Sequence, residues 1–229
     1  MLKNLTVIAA MFILSACTTA NSRVDKLDLV RPAAGTRVLV VRPSVKLSML
    51  TVAGIKEAKG DWSRDGADNV AAAMARAISE RDLAPRTFDP NRVVSAQAIQ
   101  VLKLNQAVGS SILEQDYGLT RLATKRGRFD WSLGKGAQVL GATYDADLAL
   151  FITCRGTYSS DARKLAMVAM AAMGQTLPPG HQTIFASLVD LHTGKVVWFT
   201  TALAGFDADI RHPEGADRLA AALIKVAPL

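Results

Sequence analysis

The sequence predicts a single α/β domain in which a mixed sheet of about five strands is covered by helices. Short apolar runs rich in β-branched residues alternate along the chain with longer segments of helical periodicity. Half of the 229 residues are hydrophobic, 21% are charged and only two are cysteines. This is the composition of an ordinary globular protein, and it excludes collagen-like, low-complexity and disulfide-framework classes.

The first sixteen residues have the layout of a secretory leader. Lys3 supplies a positive n-region, residues 5–14 (LTVIAAMFIL) are uncharged and mostly apolar, and Ser15 and Ala16 are small. The apolar run is too short to cross a bilayer, which takes about 20 residues. We therefore assign residues 1–16 as a signal peptide.

The tetrapeptide Leu14-Ser15-Ala16-Cys17 resembles the bacterial lipobox. The resemblance implies that the leader is cut before Cys17, which receives a diacylglycerol, and that the new amino group is acylated with a fatty acid such as palmitate. Three chains make a permanent anchor, since each buried methylene contributes ~0.8 kcal/mol. Inner-membrane lipoproteins of Gram-negative bacteria typically carry Asp after the cysteine. Because Thr18 stands here, the resemblance implies the periplasmic face of the outer membrane.

The elements follow in order after this leader. Residues 17–35 sustain no hydrophobic periodicity and are predicted to be a lipidated tether, with a single domain over residues 36–229. Residues 37–42 (RVLVVR) are apolar on both faces, which predicts a central strand. The alternation over residues 45–49 predicts a second strand, and residues 54–60 are predicted to be a loop.

Two long helices are predicted next, separated by a short extended piece around Pro85 and Phe88. Asp61 or Ser63 is the predicted N-cap of the first helix. Its apolar stripe comprises Trp62, Val70, Ala73, Met74, Ala77 and Ile78. The stripe of the second helix comprises Val94, Ala98, Val101, Leu102, Asn105, Val108 and Ile112.

The second half begins with a shorter helix predicted over residues 130–142. Residues 147–159 follow as a strand that is apolar on both faces and therefore lies inside the sheet. Residues 184–189 and 196–203 predict a hairpin, with Gly194 in its turn. Pro213 begins the last helix, whose inward residues are predicted to be Ala216, Leu219, Ala220, Leu223 and Ile224.

One loop of the sequence has a high concentration of positive charge. The net charge is +7, but the basic residues are mostly scattered, so nucleic-acid binding is not predicted. The exception is Lys125, Arg126 and Arg128, which lie together in a glycine-containing loop before Trp131. The loop is either a solvated turn or a site of attraction for anionic headgroups, lipopolysaccharide or a periplasmic partner.

The second unusual segment is residues 165–173 (LAMVAMAAM), which contains Met167, Met170 and Met173. It is too short to span a membrane, and it is either a buried helix or an adaptable methionine surface. Its connection to Pro178-Pro179-Gly180 favours an insertion between strands. We therefore predict that it is partly exposed in the isolated domain and covered by a partner, by self-association or by the membrane interface.

The sequence carries few signs of catalytic chemistry. The sequence holds no nucleophile elbow, zinc-protease motif, phosphate loop or Cys-x-x-Cys pair. His181 and His192 are predicted loop residues, and Cys154 is predicted to be a buried structural thiol. The best metal candidates are Asp207, Asp209 and His212, but acidic residues before a helix also have a macrodipole explanation. We predict no metal, no cofactor and no catalysis.

Two stretches carry a resemblance to known proteins. Residues 147–151 (DLALF) and 187–198 (SLVDLHTGKVVW) resemble the α/β domain shared by the curli secretion lipoprotein, the activator lipoprotein of penicillin-binding proteins and the N-terminal domain of TolB. Residues 60–63 (GDWS) and 127–134 (GRFDWSLG) resemble an uncharacterised group of proteobacterial lipoproteins. These relatives are non-catalytic, so the resemblance implies a binding or assembly component of the cell envelope with a protein partner or self-association.

The alternative from a different class is an enzyme, either a hydrolase of envelope polymers or a metal-dependent enzyme. A hydrolase needs a nucleophile or an activated water that is positioned by a base. Convergence of Asp207, Asp209 and His212 in one concave pocket would favour this alternative.

Overall fold

The computed structural model describes residues 19–24, 31–92, 95–118, 123, 125, 128–205 and 207–229. The chain folds as a single α/β domain with a mixed sheet, which confirms the predicted fold class. Cys17 and Arg126 lie outside the described residues. None of the described helices combines the length and the hydropathy that a bilayer-crossing segment needs.

The described part of the chain forms one sheet of eight strands. The strands are β1 (Thr19–Val24), β2 (Arg37–Val41), β3 (Ser44–Leu50), β4 (Lys56–Ala58), β5 (Ala84–Phe88), β6 (Leu148–Ser159), β7 (Gln182–Asp190) and β8 (Val196–Ala204). Six of them lie side by side in the order β1-β8-β7-β6-β2-β5, and β3 and β4 extend the sheet beside the second half of β6. The neighbours of β6 on one side are β2 and then β3, which succeed each other along its length.

Four of the five α-helices in the described residues cover the sheet, and together they bury a core on each of its faces. The helices are α1 (Gly60–Ser79), α2 (Ala96–Asp116), α3 (Gln138–Tyr144), α4 (Asp161–Ala172) and α5 (Pro213–Val226). The core beneath α1 and α5 includes Trp198 and Leu150, and the core beneath α2 and α3 includes Phe151 and Phe199. Helix α4 contributes no buried apolar residue to either core among the described residues.

Strand β6 shows why the apolar pattern predicts an interior position. Its residues alternate between the two cores, with Leu150 and Ile152 on one side and Ala149 and Phe151 on the other. Cys154 is fully buried in the first core, and burial raises the pKa of its thiol to about 12. The predicted buried structural cysteine is therefore confirmed.

The described sheet has eight strands where the sequence predicts about five, because β1 and β4 gave no apolar signal and β5 was predicted only as a short extended piece. Strand β1 lies inside the predicted tether of residues 17–35 and pairs antiparallel with β8 from Thr19 to Val24. Strand β4 lies inside the predicted loop of residues 54–60, and its three residues are all exposed. Pairing of such strands depends on backbone hydrogen bonds, which leave little trace in hydrophobic periodicity.

Two helix boundaries also differ from the prediction. Residues 130–134 are not helical, because Leu133 N donates to Gly194 O and Ser132 forms a bridge with Lys195. Helix α1 begins at Gly60, and neither Asp61 nor Ser63 is its N-cap. The Ser63 hydroxyl instead donates to the Lys59 carbonyl and accepts a hydrogen bond from Leu47 N, which joins the helix to β3.

Candidate functional site

Helix α4 leaves the end of β6 and presents an apolar stripe to solvent. Leu165 and Val168 are 72% and 69% exposed, and Met173, just beyond the last turn, is 67% exposed. Ala169 and Ala172 share the stripe, because these positions follow helical spacing, and both are exposed. A surface helix normally turns its apolar stripe toward the core, so α4 has the reverse arrangement.

The three methionines of this segment divide between the two sides of the helix. Met167 and Met170 are half-buried, and the Ser159 hydroxyl lies 3.9 Å from Met167 Sδ. Met173 is on the exposed side. The segment is therefore a partly exposed helix, as its composition predicts, and of the three methionines Met173 presents the most surface to solvent.

A buried arginine holds α4 in place. Arg163 is only 5% exposed, and its guanidinium donates to the carbonyl oxygens of Thr51 (3.1 Å), Val52 (3.4 Å) and Pro178 (2.8 Å). The first turn is also capped, since Ser160 Oγ accepts from Arg163 N at 3.2 Å. Arg163 was not predicted as a site residue, because in the sequence it is one of two adjacent cations, with Lys164, at the start of an apolar run.

The turn between β3 and β4 extends the apolar area. Val52 is half-exposed and Ile55 is 62% exposed, and the turn adjoins α4 because Ser160 N donates to Leu50 O. We call this combined area the apical surface, and it comprises Val52, Ile55, Leu165, Val168, Ala169, Ala172 and Met173.

The basic loop lies elsewhere, beside the turn between β7 and β8. Lys125 Nζ is 2.7 Å from Asp130 Oδ1 and 4.2 Å from the centre of the Trp131 ring. The hydrogen bond from Lys125 holds the pKa of Asp130 below its ordinary value. Arg128 is exposed, with its guanidinium 4.0 Å from the same carboxylate. The predicted cluster is therefore partly neutralised within the loop.

The residues proposed as metal ligands do not form a common site. The Arg211 guanidinium donates two hydrogen bonds to the Asp209 carboxylate, from Nη2 to Oδ2 at 2.6 Å and from Nε to Oδ1 at 2.9 Å. Burial alone would raise the pKa of Asp209, but the hydrogen bonds and charge of Arg211 outweigh burial and hold the pKa below its ordinary value. Asp207 and His212 are exposed, and the described residues contain no group of three ligands that could hold a metal ion.

Arg211 has a structural environment of its own. Its guanidinium lies 4.5 Å from the centre of the Trp62 ring and 3.9 Å from that of Tyr158. The Tyr158 hydroxyl accepts from Ile210 N at 3.2 Å. These contacts join the segment before α5 to α1 and β6. Because Asp209 pairs with Arg211, it has a structural role in this arrangement.

A second charged network lies at the end of the sheet opposite the apical surface. Asp147 accepts from Arg37 Nη2 at 2.8 Å and from Nε at 3.0 Å, and Asp145 pairs with the same guanidinium. Hydrogen bonds from Arg37 hold the pKa of Asp147 well below its usual range. His192 is exposed nearby, with Nε2 3.4 Å from Asp147 Oδ1, and His181 is an exposed loop residue.

Comparison with known proteins leaves the family unassigned. No protein-family model and no curated protein matches this chain. Two structures of the PelC dodecamer from Paraburkholderia phytofirmans, one of them a single-residue variant, are similar over 90% of this chain. The variant has 13% identity, a TM-score of 0.39 and 98% of its own chain covered. The other has 15% identity, a TM-score of 0.37 and 91% covered.

Proposed function

We propose that this protein is a non-catalytic lipoprotein, anchored through Cys17 at the periplasmic face of the outer membrane, that acts as a binding or assembly component of the cell envelope. One observation carries the proposal, namely that α4 is fixed with its apolar stripe facing outward. The lipobox-like sequence before Cys17 supports the anchor.

An apolar stripe that faces outward has a cost in free energy. Covering a Leu or Val side chain gains roughly 1.5–3 kcal/mol relative to leaving it in water. Leu165 and Val168 forgo most of that gain in the isolated domain. Because Arg163 bonds to two separate loops, the helix is held in this position by polar contacts. Contiguous exposed apolar patches of this kind are typical of interaction sites.

No specific observation favours the enzyme alternative. The hydrolase hypothesis depends on Asp207, Asp209 and His212 acting together, and Asp209 is instead paired with Arg211. A base at Asp209 would first have to give up that ion pair.

The anchor is tested by Cys17→Ala. We expect the variant to be released from sedimentable membranes or to persist as the uncut precursor. The matched control is Thr18→Asp, which should keep the lipid and move the protein to the inner membrane. Unchanged processing and stable membrane association of Cys17→Ala would refute lipidation.

The binding role is tested with a photo-crosslinking amino acid in intact cells. We expect crosslinked adducts, with either lipid or protein, from position 168 on α4 and few from position 104 on α2, because Leu104 is also exposed but lies outside the apical surface. Equal yields at the two positions would remove the apical surface from the proposal.

A further inference from the structure

We infer that the apical surface lies in the same lipid leaflet that holds the acyl chains of Cys17. The occupant of this surface is therefore the membrane interface. This inference rests on the proposed lipidation of Cys17 and adds an orientation for the domain, with the apical end of the sheet toward the membrane.

The register of the sheet carries the first step. Thr19 pairs with Leu203, Leu203 with Thr183, and Thr183 with Arg155, so these four residues form one row across the strands. Strand β1 is antiparallel to β8, β8 to β7 and β7 to β6. The chain that precedes Thr19 therefore enters from the end of the sheet at which β6 finishes.

Chain geometry carries the second step. Cys17 is two residues before Thr19, so its Cα atom lies no more than ~7 Å from that of Thr19. If residues 17–35 were all a tether, the domain could turn in any direction relative to its anchor. Because β1 pairs with β8 from Thr19 onward, only two residues, Cys17 and Thr18, separate the lipid from the sheet. The anchor is thereby confined to one end of the domain.

The apical surface occupies this same end. Helix α4 begins two residues after β6 ends, and Leu50, at the end of β3, pairs with Ser159. Strands β1 and β6 are three strand spacings apart, or ~14 Å. The acyl chains and the α4 stripe are therefore near enough to enter one leaflet side by side.

Charge favours a lipid surface over an apolar protein partner. Lys46 and Arg155 are direct cross-strand neighbours on β3 and β6, and both are exposed. Within the described residues no carboxylate pairs with either side chain. Like charges opposite one another repel, and anionic headgroups beside the apical surface would relieve that repulsion. An interfacial helix combines such cations with a buried apolar stripe.

The orientation is tested with an environment-sensitive fluorophore in the full lipidated protein, reconstituted in mixed phosphatidylcholine and phosphatidylglycerol vesicles. The two labelling sites are Val168→Cys and His192→Cys, at opposite ends of the sheet. Cys154 is fully buried and is not expected to react. We expect brominated lipids to quench the label at position 168 and not the one at position 192. Equal quenching, or no quenching at position 168, would overturn the inference.

A second measurement removes the anchor and asks whether the surface itself binds lipid. The mature chain carrying Cys17→Ser is sedimented with the same vesicles. We expect Leu165→Asp with Val168→Asp to weaken binding roughly tenfold or more, equivalent to at least ~1.4 kcal/mol. The matched control is Ile99→Asp with Leu104→Asp, in exposed apolar residues of α2, which should bind like the parent. Equal binding by both double variants refutes membrane docking.

Other occupants have distinct outcomes. Loss of self-association in lipid-free solution by the α4 double variant would assign the surface to a second copy of the chain and overturn the inference. Protection of position 168 in native membranes but not in purified vesicles would assign it to a protein partner and also overturn it.

Mass spectrometry of the mature N-terminus reads the anchor separately. An acylated Cys17 with a water-exposed label at position 168 refutes the inference and leaves the proposed anchor intact. An unmodified Cys17 removes the anchor, and the inference fails with it.

Discussion

Helices α4 and α5 are of similar length, and each follows a strand along the chain, yet they place their apolar residues in opposite directions. Helix α5 buries Leu219, Leu223 and Ile224 against the sheet and α1. In α4 the one buried residue is Arg163, and Leu165 and Val168 face solvent. Helix α5 is held in place by the hydrophobic effect, whereas helix α4 is held by hydrogen bonds from Arg163 to two loops.

This difference separates what the helices contribute. Removing the apolar side chains of α5 removes core packing, whereas removing those of α4 takes away surface that only an external partner can cover. Stability measurements and binding measurements should therefore respond to different helices.

The largest expected effect tests whether α5 contributes more than α4 to the free energy of unfolding. Leu223 is buried in α5, so Leu223→Ala should lower the free energy of unfolding by ~2–5 kcal/mol. Val168→Ala in α4 should change it by no more than about 0.5 kcal/mol, because the side chain is already in water. Urea denaturation followed by circular dichroism measures both. A similar loss in the two variants would mean that α4 is packed as a core helix in solution.

The next effect concerns the polar contacts that hold α4. Arg163→Met should lower the free energy of unfolding by ~1–3 kcal/mol, since carbonyl oxygens of both loops lose their donor. Hydrogen exchange should accelerate in α4 and in the 51–55 turn and stay slow in α5. Arg163→Lys serves as the control that keeps the charge, but a lysine cannot present the fork that reaches both loops. Unaltered exchange in α4 of Arg163→Met would show that the arginine does not hold the helix.

The charged network at the end of the sheet opposite the apical surface should make stability depend on pH. The pKa of Asp147 is depressed in the fold by hydrogen bonds from Arg37, so its stabilisation is complete above the unfolded value of ~3.9 and is lost as the pH falls through the lower folded value. Asp147→Asn should therefore unfold at lower urea concentration at pH 7, and the gap to the parent should narrow in strong acid.

The control for this measurement is Asp217→Asn. Asp217 pairs with Arg76 at 2.5 Å, but both side chains are about half-exposed, so the pair should contribute little. If the gap between Asp147→Asn and the parent stayed constant down to strong acid, the ion pair with Arg37 would not be the source of the stabilisation.

The contrast between α4 and α5 also shows what sequence periodicity can predict. Leu219 and Leu223 follow helical spacing beside charged residues, and the structure buries both as predicted. The same spacing in α4 identifies a helix but not its orientation, because the residues of both its sides are mostly apolar. The orientation depends on Arg163 and on two loops that are distant in sequence, and such contacts are not encoded in a local pattern.

Strand β1 illustrates a second limit. Its pairing with β8 depends on backbone groups that every residue carries, so the segment resembles a tether in composition. Interior strands such as β6 were predictable because both faces are apolar. Hydrophobic periodicity therefore predicts the sheet's centre well and its edges poorly, and the proposed orientation at the membrane depends on one of those edges.

The smallest expected effect concerns the basic loop, at the end of the sheet away from the apical surface. Replacing Lys125, Arg126 and Arg128 with Ala should weaken binding of the unlipidated chain to anionic vesicles by about twofold at low salt, with no difference at physiological salt. The effect is small because the Asp130 carboxylate lies close to both Lys125 and Arg128 and partly neutralises them, and Lys125 also contacts the Trp131 ring. Sedimentation at two salt concentrations measures it, with Lys135→Ala as the control for an exposed cation at the same end. If the triple variant binds as the parent does at low salt, the loop is only a solvated turn; if it abolishes binding, this loop rather than α4 is the surface that meets the membrane.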